Sequence, residues 1–179
     1  MQSYRVWTGA AWIDVPVPVS GDEAVMVPNV NAVVYDSPDR RQVLLQRRDK
    51  EGEVVRGRLE LPGGRWRAGE APDAAVVREV LEETGVRITA VAAGVERTEH
   101  ADHIATATVR PLGVVSGLGG AFPSLHVLFE CYGEGTPRPL PGETSDPKWW
   151  PVEEVRALLD AEPDQFVWQA VAALRAALD

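Results

Sequence analysis

Residues 64 to 86 read GRWRAGEAPDAAVVREVLEETGV: Gly64, then Glu70, then Arg78-Glu79-Val80-Leu81-Glu82-Glu83-Thr84-Gly85-Val86. The second half has the marks of a helix. Pro72 suits the first turn, Asp73 lies near the positive N-terminal end, and Gly85 follows the last turn as a left-handed cap. At about 100° per residue, Val76, Val77, Val80 and Leu81 share one face, and Arg78, Glu79, Glu82 and Glu83 lie roughly opposite. One side is expected to pack on a core while the other presents three carboxylates.

Those carboxylates are badly placed for a helix that is merely solvated. Glu79 and Glu83 form an i,i+4 like-charge pair, unfavourable by roughly 0.2–0.5 kcal/mol in isolated helices. Glu82 and Glu83 also occupy the last turn, where the helix dipole favours cations. A bound cation would reverse both penalties, and oxygen ligands at this spacing suit a hard ion such as Mg²⁺. Just upstream, Leu61-Pro62-Gly63-Gly64 is a tight turn whose glycines permit positive φ and close backbone approach to a ligand.

With these residues the stretch resembles the signature box of the Nudix hydrolases, G-x5-E-x7-R-E-U-x-E-E-x-G-U with U aliphatic, and every fixed position is met. The resemblance implies an α/β fold, an α/β/α sandwich around a mixed β-sheet with the box helix packed on one side. It implies hydrolysis of a nucleoside diphosphate linked to a further group, by water attacking phosphorus. Glu79, Glu82 and Glu83 would hold Mg²⁺ or Mn²⁺, with the Gly63 carbonyl as an added ligand. Arg78 would orient the glutamates through charge-assisted hydrogen bonds, and Glu70 would act structurally in the same way. Gly64 and Gly85 are the box glycines.

The general base is less determined. Many family members use an acid outside the box, in a late loop or near an aromatic strand. Here Lys148 precedes Trp149, so the candidates are Glu143 and Asp146, with Glu130 behind them, or a box glutamate. Family members that hydrolyse ADP-ribose often carry a proline beyond the box, and the corresponding stretch, 99 to 103, has none. Nucleoside triphosphates and nucleotide sugars are therefore the favoured substrates. The rival readings are a Nudix-fold sensor that binds a nucleotide without hydrolysing it, which should have lost box carboxylates, and a hydrolase of capped RNA ends.

Composition bounds the rest. A chain of 179 residues with 45% apolar and 25% charged residues suits one globular domain spanning 1–179. A net charge of −9 disfavours long nucleic acid, which needs basic surface, but not a small phosphorylated ligand beside a metal ion. No apolar run reaches the roughly 18 residues of a membrane span, and no signal-peptide pattern opens the chain. Cys131, the single cysteine, lies in an apolar run and reads as a buried thiol. A cytoplasmic location is expected.

Along the chain, residues 1–20 read as a β-hairpin extension whose Trp7 and Trp12 are expected in the core, with a homodimer through this hairpin as one possibility. Residues 24–35 read as a buried strand interrupted near Pro28-Asn29. Gln42 to Gln46 reads as the next strand, ending in Arg47 and Arg48, candidate phosphate contacts. Residues 113–120 read as a flexible glycine-rich loop without phosphate-loop spacing. Leu125 to Tyr132 is the strongest central strand of the second half, with His126 and Glu130 on one face. Trp150, Phe122 and Tyr132 are candidates to stack on a base. Helices are expected over 153–159 and, beginning near Asp164, over the C-terminal segment 163–179.

Overall fold

The computed structural model describes the whole chain apart from residues 1, 2, 9, 20, 22, 24, 103, 104, 118–122, 140–143 and 179, and the side chain of Trp7. Glu143, Phe122 and His103 lie outside the described residues. Among the described residues the N-terminal strands β1 (Ser3–Trp7) and β2 (Trp12–Pro16) pair only with each other, antiparallel. Trp12, expected in the core, is 49% exposed. Tyr4 is buried instead, and its hydroxyl donates to the Val25 carbonyl at 2.5 Å.

The main sheet is built on β3 (Val27–Tyr35), β4 (Gln42–Arg48), β11 (Ser124–Glu134) and β12 (Thr144–Pro151). β3 and β11 run parallel, whereas β4 pairs antiparallel with both β3 and β12, so the sheet is mixed. β5 (Leu59–Glu60) and β6 (Gly63–Arg65) are short additions to β4 and β3, and β7 (Arg87–Val91) and β10 (Gly113–Ser116) both pair with β11. β8 (Glu96–Glu99) and β9 (Ala105–Thr108) form a separate hairpin.

Strand alternation fills both faces of the sheet. Val30, Ala32, Val34 and Leu44 pack with Ala75, Val76 and Val80 of α1 (Pro72–Thr84), together with Phe129 and Cys131. Val33, Tyr35, Val43 and Leu45 point the other way, onto Val155 and Leu159 of α2 (Val152–Ala161) and Ala170 and Leu174 of α3 (Trp168–Leu178). Burial of each Val, Leu or Phe side chain among them contributes about 1.5–3 kcal/mol against exposure. A near-continuous apolar run in β3 is what a strand covered on both faces requires. The result is the α/β/α sandwich around a mixed sheet. Among the described residues no helix is long and apolar enough to cross a membrane.

Four local expectations are corrected. β3 is not interrupted at Pro28-Asn29: Pro28 lies at its second position, and its carbonyl still accepts the Trp66 N–H at 3.1 Å. Leu81 does not join the core face of α1 but is 50% exposed, and Ala75 and Thr84 are buried in addition to Val76 and Val80. Residues 113–116 are not loop but strand, because β11 supplies hydrogen-bonding partners from Leu125 to Leu128. The last helix begins at Trp168, not Asp164. Pro163–Gln165 is a single 3-10 turn, after which Phe166 and Val167 are held extended beside β5, with the Val167 N–H donating to the Leu59 carbonyl at 2.9 Å.

Candidate active site

The box helix begins and ends as its sequence requires. Pro72 opens it, Asp73 lies in the first turn, and Gly85 closes it in the left-handed conformation at φ 69°, its N–H donating to the Leu81 carbonyl at 3.1 Å. α1 thereby carries Glu79, Glu82 and Glu83 against the turn that joins β5 to β6. A Cβ on Gly63 would stand 2.2 Å from the Val30 carbonyl oxygen, and one on Gly64 would stand 2.6 Å from Glu79 Oε2. Only glycines allow the turn to lie this close to both β3 and the helix.

The carboxylates are held in two different ways. Arg78 forms a fork with Glu70, Nε to Oε1 at 2.8 Å and Nη2 to Oε2 at 2.9 Å. Its Nη1 also donates to Glu79 Oε1 at 2.6 Å and to Glu82 Oε2 at 3.1 Å. The hydrogen bonds from Arg78 hold the Glu70 carboxyl below the usual carboxylate range. Glu83 points inward, and its Oε2 accepts from the Gly63 N–H at 3.0 Å and from Gln46 Nε2 at 2.6 Å. Burial nevertheless pushes the Glu83 carboxyl up to about 7, outweighing those two donors. Glu60, also buried, is pushed up to about 8. Both shifts favour the protonated carboxyls near neutral pH, and a cation bound beside them would favour their ionised forms instead.

A cleft of about 710 Å³ joins these groups. Gly63, Gly64, Glu79, Glu82 and Glu83 line it, together with Glu60, Arg48 and Glu53, and so do Asn31, His126, Trp168 and Gln169. Among the described residues no three His, Cys, Asp or Glu side chains stand together closely enough to hold an ion as placed. Glu79 and Glu82 are turned onto Arg78. The donors that could serve an ion are all oxygens, the set that Mg²⁺ or Mn²⁺ takes.

The outer residues named from sequence lie elsewhere. Glu130 is not part of the cleft lining; Arg40 Nη2 reaches it at 2.6 Å and the Tyr132 hydroxyl donates to it at 2.6 Å. Asp146 sits at the irregularity in β12 with φ 49°, near Arg47 at 3.6 Å and Lys148 at 3.3 Å, and also misses the cleft. Of the two candidate phosphate contacts, Arg48 lines the cleft and is gripped by Glu53 at 2.7 and 2.9 Å, whereas Arg47 turns to the Gly57 carbonyl at 2.7 Å. Trp150 is part of the core on the α2 side and carries Lys148 over its ring, and Tyr132 packs at that core's edge.

Sequence reading missed Glu60, His126 and Trp168 as cleft residues, and Gln46 as the side chain that holds Glu83. Glu60 stands between two leucines and Gln46 between an apolar run and two arginines, patterns that do not reveal which polar side chain is enclosed. His126 is buried; as the neutral ring that burial favours, its Nδ1–H donates to Asn31 Oδ1 at 2.8 Å and its Nε2 accepts from the Ser124 hydroxyl at 3.3 Å. Both ring nitrogens are thus engaged.

The chain was compared with known proteins. A NUDIX domain family model matches residues 26–170. The NUDIX domain of Shewanella oneidensis NrtR, complexed with ADP ribose, superposes with a TM-score of 0.62 at 20% identity, covering 87% of this chain and 88% of that one. A NUDIX hydrolase from Alicyclobacillus acidocaldarius gives 0.60 at 18% identity, covering 86% and 91%. A MutT NUDIX hydrolase from Burkholderia pseudomallei gives 0.57 at 20% identity, covering 83% and 97%. At these identities the structural likeness speaks for the fold, and the family match over most of the length speaks for descent: the chain belongs to the Nudix family.

Proposed function

We propose that this protein is a divalent-metal-dependent hydrolase that cleaves the pyrophosphate linkage of a nucleoside diphosphate derivative, a nucleoside triphosphate or nucleotide sugar being favoured. The observation that carries this is the convergence of Glu79, Glu82, Glu83 and the Gly63–Gly64 turn on one wall of a cleft large enough for a nucleotide. Glu79, Glu82 and Glu83, with the Gly63 carbonyl, would hold Mg²⁺ or Mn²⁺. When bound, such an ion neutralises phosphate charge and lowers the pKa of a bound water. Arg78 keeps Glu79 and Glu82 within reach of the cleft, and Glu70 fixes Arg78 in turn. Gln46 and the Gly63 N–H orient Glu83. Arg48 supplies a cationic group on the cleft wall, where a phosphate oxygen would meet it. Among the described outer acids, Glu130 and Asp146 do not line the cleft and Glu53 is committed to Arg48, which supports a box carboxylate as the group that accepts the proton of the attacking water.

The competing reading is a nucleotide-binding sensor, and the full set of box carboxylates favours the enzyme. The hydrolase reading fits a cytoplasmic protein, and exposed Ile13 on the N-terminal hairpin fits a second copy docking there. The test is phosphate release from nucleoside triphosphates, nucleotide sugars, ADP-ribose and dinucleoside polyphosphates, with Mg²⁺ and then with EDTA. Metal-dependent turnover of one class supports the hydrolase; tight nucleotide binding without turnover of any class supports the sensor.

A further inference from the structure

Arg48 ends β4 on the cleft, and its charge acts on the carboxyls of both Glu60 and Glu83. It is therefore a cationic group at the carboxylate end, where the phosphates of a ligand would lie beside a metal ion. An anion already engages it. Arg48 Nε donates to Glu53 Oε2 at 2.7 Å and Nη2 to Glu53 Oε1 at 2.9 Å, a two-point fork. Lys50, also on the cleft, has its Nζ 4.0 Å from Glu53 Oε1. A carboxylate so placed presents two oxygens to a guanidinium in the way a phosphate does.

Glu53 differs from the other acids of the cleft in how it is held. It stands on the loop between β4 and β5, and its side chain keeps 33% of its surface exposed. Gly52 before it is left-handed at φ 82°, with no heavy atom within 4 Å of a Cβ added there. Val54 after it is 93% exposed. Val55 then turns back onto the core on the α2 side. Packing thus anchors the loop at Val55 and leaves Glu53 held by charge, and pairs this exposed add little to stability. The cleft is also short of positive charge. Among the described residues, five glutamates line it against three cationic side chains, Arg48, Lys50 and Arg65. Glu53 offsets the first two of these.

We propose that Glu53 is a built-in counter-anion, whose carboxylate occupies the place of a substrate phosphate on Arg48 and is exchanged for it on binding; this rests on the reading of Arg48 as a phosphate contact of the proposed hydrolase. The released carboxylate turns to solvent. Every anion that Arg48 holds then binds less tightly than Arg48 by itself would allow. A ligand is retained only if it also gains elsewhere in the cleft, as linked phosphates do when one of them meets a metal ion. Glu53 thereby sets the threshold for the phosphate ligands that the cleft accepts.

The probe is methylenediphosphonate, whose P–C–P link is not hydrolysed, so that binding is read whether or not the protein is a hydrolase. Calorimetric titration of the full chain in Mg²⁺ should show Glu53→Gln binding it about 3- to 20-fold more tightly than the native protein, and Glu53→Ala the same direction of change. Glu51→Gln, at an exposed neighbour that does not line the cleft, should leave the affinity within about 2-fold. Arg48→Met should bring the native and Glu53→Gln proteins to the same weak binding, because the exchange takes place on Arg48. Thermal unfolding without ligand checks that each variant is folded. A Glu53 that served only to position Arg48 predicts the opposite, weaker binding in Glu53→Gln. Weaker or equal binding by Glu53→Gln, the same gain in Glu51→Gln or in the Arg48→Met background, or binding by neither protein overturns the inference. If only the hydrolase reading fails, the Glu53→Gln gain persists while nucleoside triphosphates and nucleotide sugars are not turned over. If only the exchange fails, turnover proceeds and Glu53→Gln leaves KM unchanged or raises it.

Discussion

Arg78 grips Glu70 through both oxygens of its carboxylate, and the same guanidinium reaches Glu79 and Glu82. One cation thus ties the loop before α1 to two acids that the family box places on its polar face. All four side chains lie in or next to the cleft wall, so loss of Glu70 should be felt at the site and in stability alike.

Glu70→Ala is expected to lower stability by about 1–3 kcal/mol, because it leaves a largely enclosed guanidinium without its main partner. Glu70→Gln should reduce kcat more than it raises KM, as the acids lose their fixed placement. The acid limb carries a further signature. A carboxyl held below its ordinary range contributes stability above the unfolded pKa of about 4.3 and loses it as pH falls through the lowered folded value. Urea unfolding at neutral pH should separate native protein from Glu70→Gln, and the gap should close below about pH 4.

Glu83 gives the opposite sign. With its carboxyl pushed up to about 7, the folded protein binds more protons than the unfolded chain between roughly pH 4 and 7, so stability falls as pH rises through that window. Glu60, pushed up to about 8, extends the decline. In EDTA, the melting temperature should therefore drop from pH 6 to pH 8, and Glu83→Gln should flatten part of that drop. Mg²⁺ should raise the melting temperature more at pH 8 than at pH 6, since the ligand carboxylates must be ionised. A melting temperature in EDTA that rises between these pH values would contradict the assignment.

Gly63, just ahead of the box, and Gly85 within it should differ sharply. At Gly63, φ is 153° and an added Cβ would meet the backbone of Val30 and Asn31 at 2.2 and 2.7 Å. Gly63→Ala combines backbone strain of about 1–3 kcal/mol with overpacking of about 1–3 kcal/mol. At Gly85 the nearest atom to an added Cβ is Arg138 Cγ at 2.9 Å, part of a flexible side chain that can move. Gly85→Ala should cost about 1 kcal/mol, the left-handed penalty alone. Thermal unfolding of the two variants side by side checks the order.

Much of this was legible in the sequence where the determining interactions are local. The box helix follows from Pro72, the apolar spacing and Gly85, and the sandwich follows from an apolar run in 30–35 that alternates between α1 on one face and α2 and α3 on the other. Where a distant strand decides, the sequence was silent. Gly113–Ser116 is strand only because β11 pairs with it, and Trp168 opens α3 only because Phe166 and Val167 are drawn extended beside Leu59. Leu81 carried an apolar signal but faces solvent, since the core contact of α1 runs along Ala75, Val76, Val80 and Thr84. Glu130 shares a strand face with His126 yet lies four residues on, roughly 13 Å along β11.

The measurement that bears most directly on the central claim is turnover by Glu82→Gln. Glu82 is exposed and lies at the cleft, so the amide should leave the fold intact and remove one ionised oxygen donor. With the substrate class found for the native protein, at saturating Mg²⁺, we expect kcat to fall on the order of 100-fold, with Mg²⁺ affinity reduced and thermal stability in EDTA unchanged. Native turnover in Glu82→Gln, at unchanged Mg²⁺ dependence, would contradict the metal-dependent hydrolase.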